Sequence, residues 1–310
     1  MYFTNRNGKK ERLPDFIIPG AAKSGTTTLY QQLVGHPLVF FPKERKEPFY
    51  FSFGGDKPNY EDEQFNKIPV WRTEDYLNLY RTAGNNMLCG DASTSYLYTY
   101  QNAIHNMREL YGAELKNVKI IILLRNPIAR AYSHYLYLIR NGFENRPFIE
   151  AISDEGIAKW KKKRWGFDYL KYGEYYDGVK AYMEEFDSVK ILLTEDLRET
   201  QVVLRDICKF LDLSEFDTLR EVAANPSGIP KNRMLVDTLR KNKLLKSVGR
   251  MMPEQTKLRA QHFRDRILKK LLKKEPMPKD AQQKLLAHYT PEIKKLENLI
   301  DRDLSGWLKS

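Results

Sequence analysis

Cysteine is nearly absent: the chain has two in 310 residues, Cys89 and Cys208. That excludes a framework of several disulfides. Cys89 follows the apolar pair Met87-Leu88, and Cys208 lies in an apolar helical pattern. Buried free thiols of this kind suit a reducing compartment, with a single Cys89–Cys208 bridge as the alternative. Long hydrophobic runs are missing too. The longest, such as Ile120 to Leu124, are strand-sized and far short of the about 20 residues that span a bilayer. Met1 to Arg12 is polar and basic and has no apolar stretch, so it does not read as a secretory signal. A cytoplasmic protein is expected, unless the chain is a catalytic piece cut from a membrane anchor. No repeat or low-complexity tract is present. No zinc-finger, RRM or basic-zipper pattern accompanies the positive charge, so nucleic acid is not an expected partner.

What is present fits a large folded core. Hydrophobic residues make up 42% and charged residues 30%, ordinary values for a folded chain. The net charge is +12, and it is concentrated. Residues 231–274 carry 15 Lys or Arg against Asp237, Glu254 and Asp265, which leaves the rest of the chain balanced. This segment is either a solvated helical face or a surface that steers anionic ligands.

Four short apolar runs, at residues 15–19, 86–90, 118–124 and 189–193, are expected as strands. The last two are dense in aliphatic and β-branched residues, as in strands covered on both faces. Helices are expected at 26–34, 127–140, 167–186 and 199–211. Alternation of strand and helix predicts an α/β fold, a P-loop-like and mostly parallel β-sheet flanked by helices. A single domain is expected: a flexible N-terminus over 1–12, an α/β core over 13–224, and a basic helical C-terminal part over 225–310 packed on the core. Helices near 235–248 and 258–272 are expected to form a cap or lid.

The sharpest motif is Pro19-Gly20-Ala21-Ala22-Lys23-Ser24-Gly25-Thr26-Thr27-Thr28, between an apolar strand and an apolar helical pattern. A tight strand-to-helix turn aims several backbone N–H groups at one point, where the helix dipole favours an anion. Lys23 adds a positive charge, and the threonines add hydroxyl donors. The spacing differs from Walker A, which puts Lys directly after the second Gly. Here Thr26 holds that place and Lys23 precedes Gly25 by two residues. A nucleotide kinase, the alternative function, would also want a carboxylate on Mg²⁺, and only Asp91 is a candidate.

A second anchor is Arg125-Asn126-Pro127-Ile128-Ala129-Arg130-Ala131-Tyr132-Ser133, at the end of the strongest strand. Arg125 stands where open α/β sheets bind ligands. Ser133 follows two helical turns later, and a guanidinium with a hydroxyl makes a compact phosphate site.

The Lys-x-Gly-Thr-Thr loop resembles the 5′-phosphosulfate loop of the sulfotransferase superfamily, whose donor is 3′-phosphoadenosine 5′-phosphosulfate (PAPS). The Arg125 to Ser133 segment resembles that family's 3′-phosphate motif. Further resemblance lies in His36-Pro37 with Lys46-Glu47-Pro48-Phe49, as in the heparan-type and related bacterial branch. It continues in Asp91 to Tyr96, where Ala92 and Thr94 replace the family's Lys and Pro. Gly173-Glu174-Tyr175, Glu195-Asp196-Leu197, and Tyr289 with Trp307 extend it over nearly the whole chain. The family's Cys pair around a Lys-Gly-Arg loop is missing, and Lys231 and Arg233 stand nearest to that loop.

The resemblance implies PAPS as co-substrate, with no metal and with adenosine 3′,5′-bisphosphate as product. It implies donor contacts from Lys23, Ser24, Gly25, Thr26, Thr27, Thr28, Arg125, Ser133 and Tyr175, and from Lys231 and Arg233. Lys23 would offset charge on the bridging oxygen, and Glu47 would be the general base, with Asp91 in reserve. A surface Glu paired with Lys43 or Lys46 is the plainer reading of Glu47. His36 is expected to cap a turn and His134 to pack inside its helix. The acceptor is expected to be a saccharide, an acidic glycan included, or a carrier-bound or hydroxylated metabolite. A non-catalytic polyanion binder using 231–274 is a third reading.

Overall fold

The computed structural model describes residues 1–4, 10–216, 229–230, 272–273 and 275–309. Ahead of the main sheet, β1 (Tyr2–Thr4) pairs antiparallel with β2 (Lys10–Arg12), so the two ends of the segment expected as a flexible arm form a small ribbon. Arg12 and the terminal amine both pair with Asp15, which ties the ribbon to the core.

The main sheet contains β3 (Phe16–Gly20), β4 (Val39–Phe40), β5 (Leu88–Asp91), β6 (Lys119–Leu124) and β7 (Ser188–Leu193). The order is β4-β5-β3-β6-β7, with every neighbouring pair parallel. Four strands lie within two residues of their expected positions. β4 escaped notice because two residues carry no periodicity. The chain leaves β3 towards β4 on one side and reaches β6 on the other. The loop after β3 therefore opens at the switch point of the sheet, where α/β folds place their ligands.

Alternate residues of a strand face opposite sides, and the core divides accordingly. Ile17, Ile120, Ile122 and Leu124 pack into the larger cluster, whereas Phe16, Ile18, Ile121 and Leu123 pack into the other. The smaller cluster is covered by α1 (Thr26–Leu33), through Leu29 and Leu33, and by the helix Thr200–Phe210, through Val203, Leu204 and Ile207. On the larger side lie α2 (Tyr100–Tyr111), α3 (Pro127–Arg140) and α4 (Tyr176–Glu185). With Thr200–Phe210 as α5, the final helix is α6 (Lys279–Ile300), which adds Ala281, Leu285, Tyr289, Ile293 and Leu296 to that face.

One expected helix differs. Residues 167–186 form α4 only from Tyr176, after short 3-10 turns at Trp165–Phe167 and Lys171–Gly173. Gly173 is pressed against α6: a Cβ there would lie 2.6 Å from the Tyr289 hydroxyl oxygen. That approach fixes a turn where local periodicity suggested a helix. The expected lid helices near 235–248 and 258–272 lie outside the described residues, apart from 272 itself. Residues 229–230 pair antiparallel with 272–273. Cys89 and Cys208 are both buried and free.

Candidate active site

The loop after β3 holds its shape through two left-handed residues, Lys23 at φ 73° and Gly25 at φ 100°. At Gly25 a side chain is excluded twice, by that angle and by Leu197, whose Cδ1 would lie 2.7 Å from a Cβ. Gly25 is the N-cap of α1, and no side chain caps the helix. The first amides of α1 are thus left for a ligand, with the positive end of the helix dipole behind them. Ser24 is fully buried, and its Oγ makes no hydrogen bond of normal geometry, with the Tyr175 hydroxyl as its polar neighbour. Thr194 at the end of β7 donates to the Ser24 carbonyl at 2.7 Å and fastens the loop from below.

Two further segments reach this loop. Lys46 Nζ donates to Thr27 Oγ1 at 2.9 Å and to Glu47 Oε1 at 3.3 Å. Thr94 Oγ1 donates to the other Glu47 oxygen at 3.0 Å. Glu47 is thereby held at the mouth of the loop, half-buried, by one cation and one hydroxyl. The threonine that replaces the family's proline supplies that hydroxyl. No ion pair joins Glu47 to Lys43 among the described contacts; its partner is Lys46.

The second anchor abuts the first. Arg125 leaves the tip of β6 and donates from Nη1 to the Lys23 carbonyl at 3.0 Å. Asn126 caps α3, accepting from the Ile128 and Ala129 amides, and Pro127 occupies the first turn. Asn126 also donates to the Trp307 carbonyl at 3.0 Å, while Trp307 Nε1 donates to Glu195 at 3.1 Å. Ser133 is buried on α3, two turns beyond Arg125. Tyr175 is buried and donates to the Arg125 carbonyl at 3.0 Å. Its hydroxyl is thus committed to shaping the Arg125 corner.

The electrostatics suit an anion. Burial, then the nearby Arg140 and Arg125 charges, lower the Lys23 pKa from 10.5 to about 8. The Lys23 ammonium rests over the Tyr137 ring at 4.7 Å, and Arg140 approaches the same ring at 5.6 Å. Burial lowers the Arg125 pKa as well. Lys23 feels the charges of Arg140, Arg125 and Lys46 together, with Glu47 as the opposing carboxylate, and such crowding of cations is relieved when an anion joins them. A buried hydroxyl without a hydrogen bond of normal geometry, an uncapped helix start and converging cations fit a phosphosulfate group.

Asp91 does not belong to this constellation. Its carboxylate is fully buried and receives the Tyr76 and Tyr96 hydroxyls at 2.9 and 2.8 Å, with the Ser93 amide and hydroxyl on the other oxygen. Both oxygens are spent on the core, so the reserve base of the sequence reading becomes a structural hub. Burial raises its pKa to about 6. His36 caps its turn by accepting from the Leu38 amide at 3.0 Å. His134 is buried, which drives its pKa well below the usual imidazole range and keeps it neutral. Lys231 and Arg233 lie outside the described residues. Sequence reasoning passed over Tyr137, Arg140 and Thr194. Tyr137 and Arg140 follow Ser133 at about one and two turns on α3, and that spacing was the available signal.

The sulfotransferase domain model matches residues 13–296. Carbohydrate sulfotransferase 15 of Homo sapiens is 29% identical over 189 residues, covering 49% of this chain and 33% of its own length. Bifunctional heparan sulfate N-deacetylase/N-sulfotransferase 3 of Mus musculus is 26% identical over 314 residues, covering 96% of this chain and 31% of its own. The chain thus spans about a third of the length of these curated relatives. A solved sulfotransferase from Alicyclobacillus acidocaldarius superposes with a TM-score of 0.67 at 27% identity, covering 96% of this chain and 99% of that one. The nucleotide-kinase alternative loses its support, and the chain belongs to the sulfotransferase domain family.

Proposed function

We propose that this chain transfers the sulfuryl group of PAPS to a hydroxyl or amine of an acceptor, a saccharide or a hydroxylated metabolite. The observation that carries the reading is the 3.0 Å hydrogen bond from Arg125 to the Lys23 carbonyl. It joins two anion anchors into one continuous cationic floor, matched to a donor with phosphate at both ends. The first turn of α1, with Ser24 and the hydroxyls of Thr26, Thr27 and Thr28, holds the 5′-phosphate. Arg125 and Ser133 hold the 3′-phosphate, which ATP lacks. Lys231 and Arg233 are assigned to that same end, and Tyr175 to the support of Arg125.

Sulfuryl transfer resembles phosphoryl transfer: in-line attack through a loose transition state, with positioning and charge stabilisation doing most of the work. Glu47 takes the acceptor proton as the acceptor oxygen or nitrogen bonds to sulfur and the bond from sulfur to the phosphate oxygen breaks. Lys23 offsets the charge left on that phosphate. Lys46 spans Thr27 and Glu47, so it fixes the distance between base and donor loop. No step in this scheme calls on a metal.

No helix among the described residues is long and apolar enough to cross a membrane. Calorimetry with adenosine 3′,5′-bisphosphate in EDTA tests the donor site, and labelled PAPS with an acceptor panel tests turnover. Tight, metal-independent binding of the bisphosphate that ATP does not displace is expected. Failure to bind it would sink the assignment.

A further inference from the structure

A cleft of about 450 Å³ lies beside the site, lined by Glu61, Asp62, Gly142, Phe143, Lys163 and Arg164, with Asn145, Trp160 and Phe167 completing the wall. Nothing in the transfer scheme uses it. Two chains of packed contacts place it near the proposed reacting groups. The first runs along α3. Tyr137 lies under the Lys23 ammonium, and Gly142 lies five residues further, about 8 Å at helical rise. Gly142 adopts φ 73° and ends the helix, turning Phe143 outward. The second route is aromatic. Trp165, next to Arg164, packs on Phe49 at 5.7 Å and on Phe53 at 5.2 Å between ring centroids. Phe49 follows Glu47 by two residues, and Ala22, next to Lys23, joins the same cluster.

The lining is mixed in a particular way. Two carboxylates, Glu61 and Asp62, face two cations, Lys163 and Arg164, so the cleft has no excess charge. Asp62 pairs with Arg164 at 3.3 Å and also caps a short helix, accepting from the Gln64 and Phe65 amides. Arg164 lies 3.8 Å from the centre of the Phe143 ring, which remains 43% exposed. Arg164 Nε is buried and has no hydrogen bond among the described residues. Lys163 sits 3.7 Å over Trp160. Donors, acceptors and an exposed ring edge within one open cleft suit a molecule with apolar faces and a rim of hydroxyls. A fixed anion would meet Glu61 and Asp62, and a flat hydrocarbon would leave the polar groups unpaired.

We infer that this cleft is a second acceptor subsite, holding an uncharged sugar ring of an oligosaccharide whose reacting hydroxyl lies at Glu47. The inference rests on the saccharide reading of the acceptor and deepens it. The enzyme then measures chain length: a monosaccharide fills only the place at Glu47, and a longer acceptor gains the cleft as well. Binding of this kind is equal in ground and transition states, so it lowers KM and leaves kcat nearly unchanged.

The test is a length series of neutral oligosaccharides on the full chain, with Phe143→Ala and Lys163→Ala beside the unmodified protein. Both side chains lie at the cleft surface, away from the donor loop. The expected result is a KM about tenfold lower for long acceptors than for the matching monosaccharide. In both variants that advantage disappears, while monosaccharide kinetics and bisphosphate affinity stay unchanged. A length advantage that survives both substitutions, or none in the unmodified protein, overturns the subsite. Sulfation of no sugar of any length, with the bisphosphate still bound, overturns the saccharide reading underneath it.

Discussion

Glu47 and Lys23, the proposed base and the proposed counter-charge, answer to different measurements. Removing the negative charge of Glu47 leaves its contacts to Lys46 and Thr94 nearly in place, so Glu47→Gln tests the base without dismantling the loop. Turnover is expected to fall about 10²- to 10⁴-fold, with bisphosphate affinity unchanged by calorimetry. In the proposed scheme Lys23 makes donor binding depend on pH. Its pKa of about 8 in the free protein, against 10.5 for an ordinary lysine, means that it is largely neutral above that value. A bound anion favours the ammonium and raises the pKa. Bisphosphate binding near pH 9 is therefore expected to take up a proton, and affinity to fall as pH rises through 8 and beyond. Calorimetry in buffers of differing ionisation enthalpy reads the uptake directly, and Lys23→Met should abolish it.

At the level of elements, the corner between β6 and α3 carries several duties in few residues. Asn126 caps α3 and grips the Trp307 carbonyl, while the adjacent Arg125 holds the donor loop. Asn126→Ala is expected to cost about 1 kcal/mol of stability from the cap and to weaken bisphosphate binding, since the freed corner no longer orients Arg125. Thermal unfolding with and without the bisphosphate separates the two effects. The turn after β5 gives the opposite pattern. Asp91→Ala leaves the Tyr76, Tyr96 and Ser93 hydroxyls without their buried acceptor, an expected loss of about 3 kcal/mol. At a temperature where the variant stays folded, its bisphosphate affinity should match that of the unmodified protein. A catalytic Asp91 would instead leave stability intact and abolish turnover.

For the molecule as a whole, the C-terminal helix completes the core. Five side chains of α6 are buried in the larger cluster, and Tyr289 donates to the Leu170 carbonyl at 2.8 Å. Burying the four large ones, Leu285, Tyr289, Ile293 and Leu296, contributes roughly 2 kcal/mol each, comparable in sum to the whole stability of an ordinary domain. A chain ending at residue 277 is expected to lose its cooperative unfolding transition and its near-ultraviolet circular dichroism. The same helix shapes the site at a distance. Its contact with Gly173 sets the turn that delivers Tyr175 to the Arg125 carbonyl.

Much of this was legible beforehand where function depends on local spacing. A Lys-x-Gly-Thr-Thr turn after an apolar strand suits close approach of backbone to an anion, and few residue types permit its left-handed backbone. The α/β sheet and its parallel strands could be read in the same way, from aliphatic runs alternating with helical periods. Pairwise meetings across the sequence could not. Asp91 carries the same letter whether it faces an acceptor or three hydroxyls of the core, and only packing settled that it faces the core. The placing of Tyr137 under Lys23 and of Thr94 against Glu47 has the same origin, as does the neutral cleft beyond Gly142. Contacts between residues far apart in the chain arise from how helices and strands pack, and periodicity along one segment carries no information about the partner it will meet.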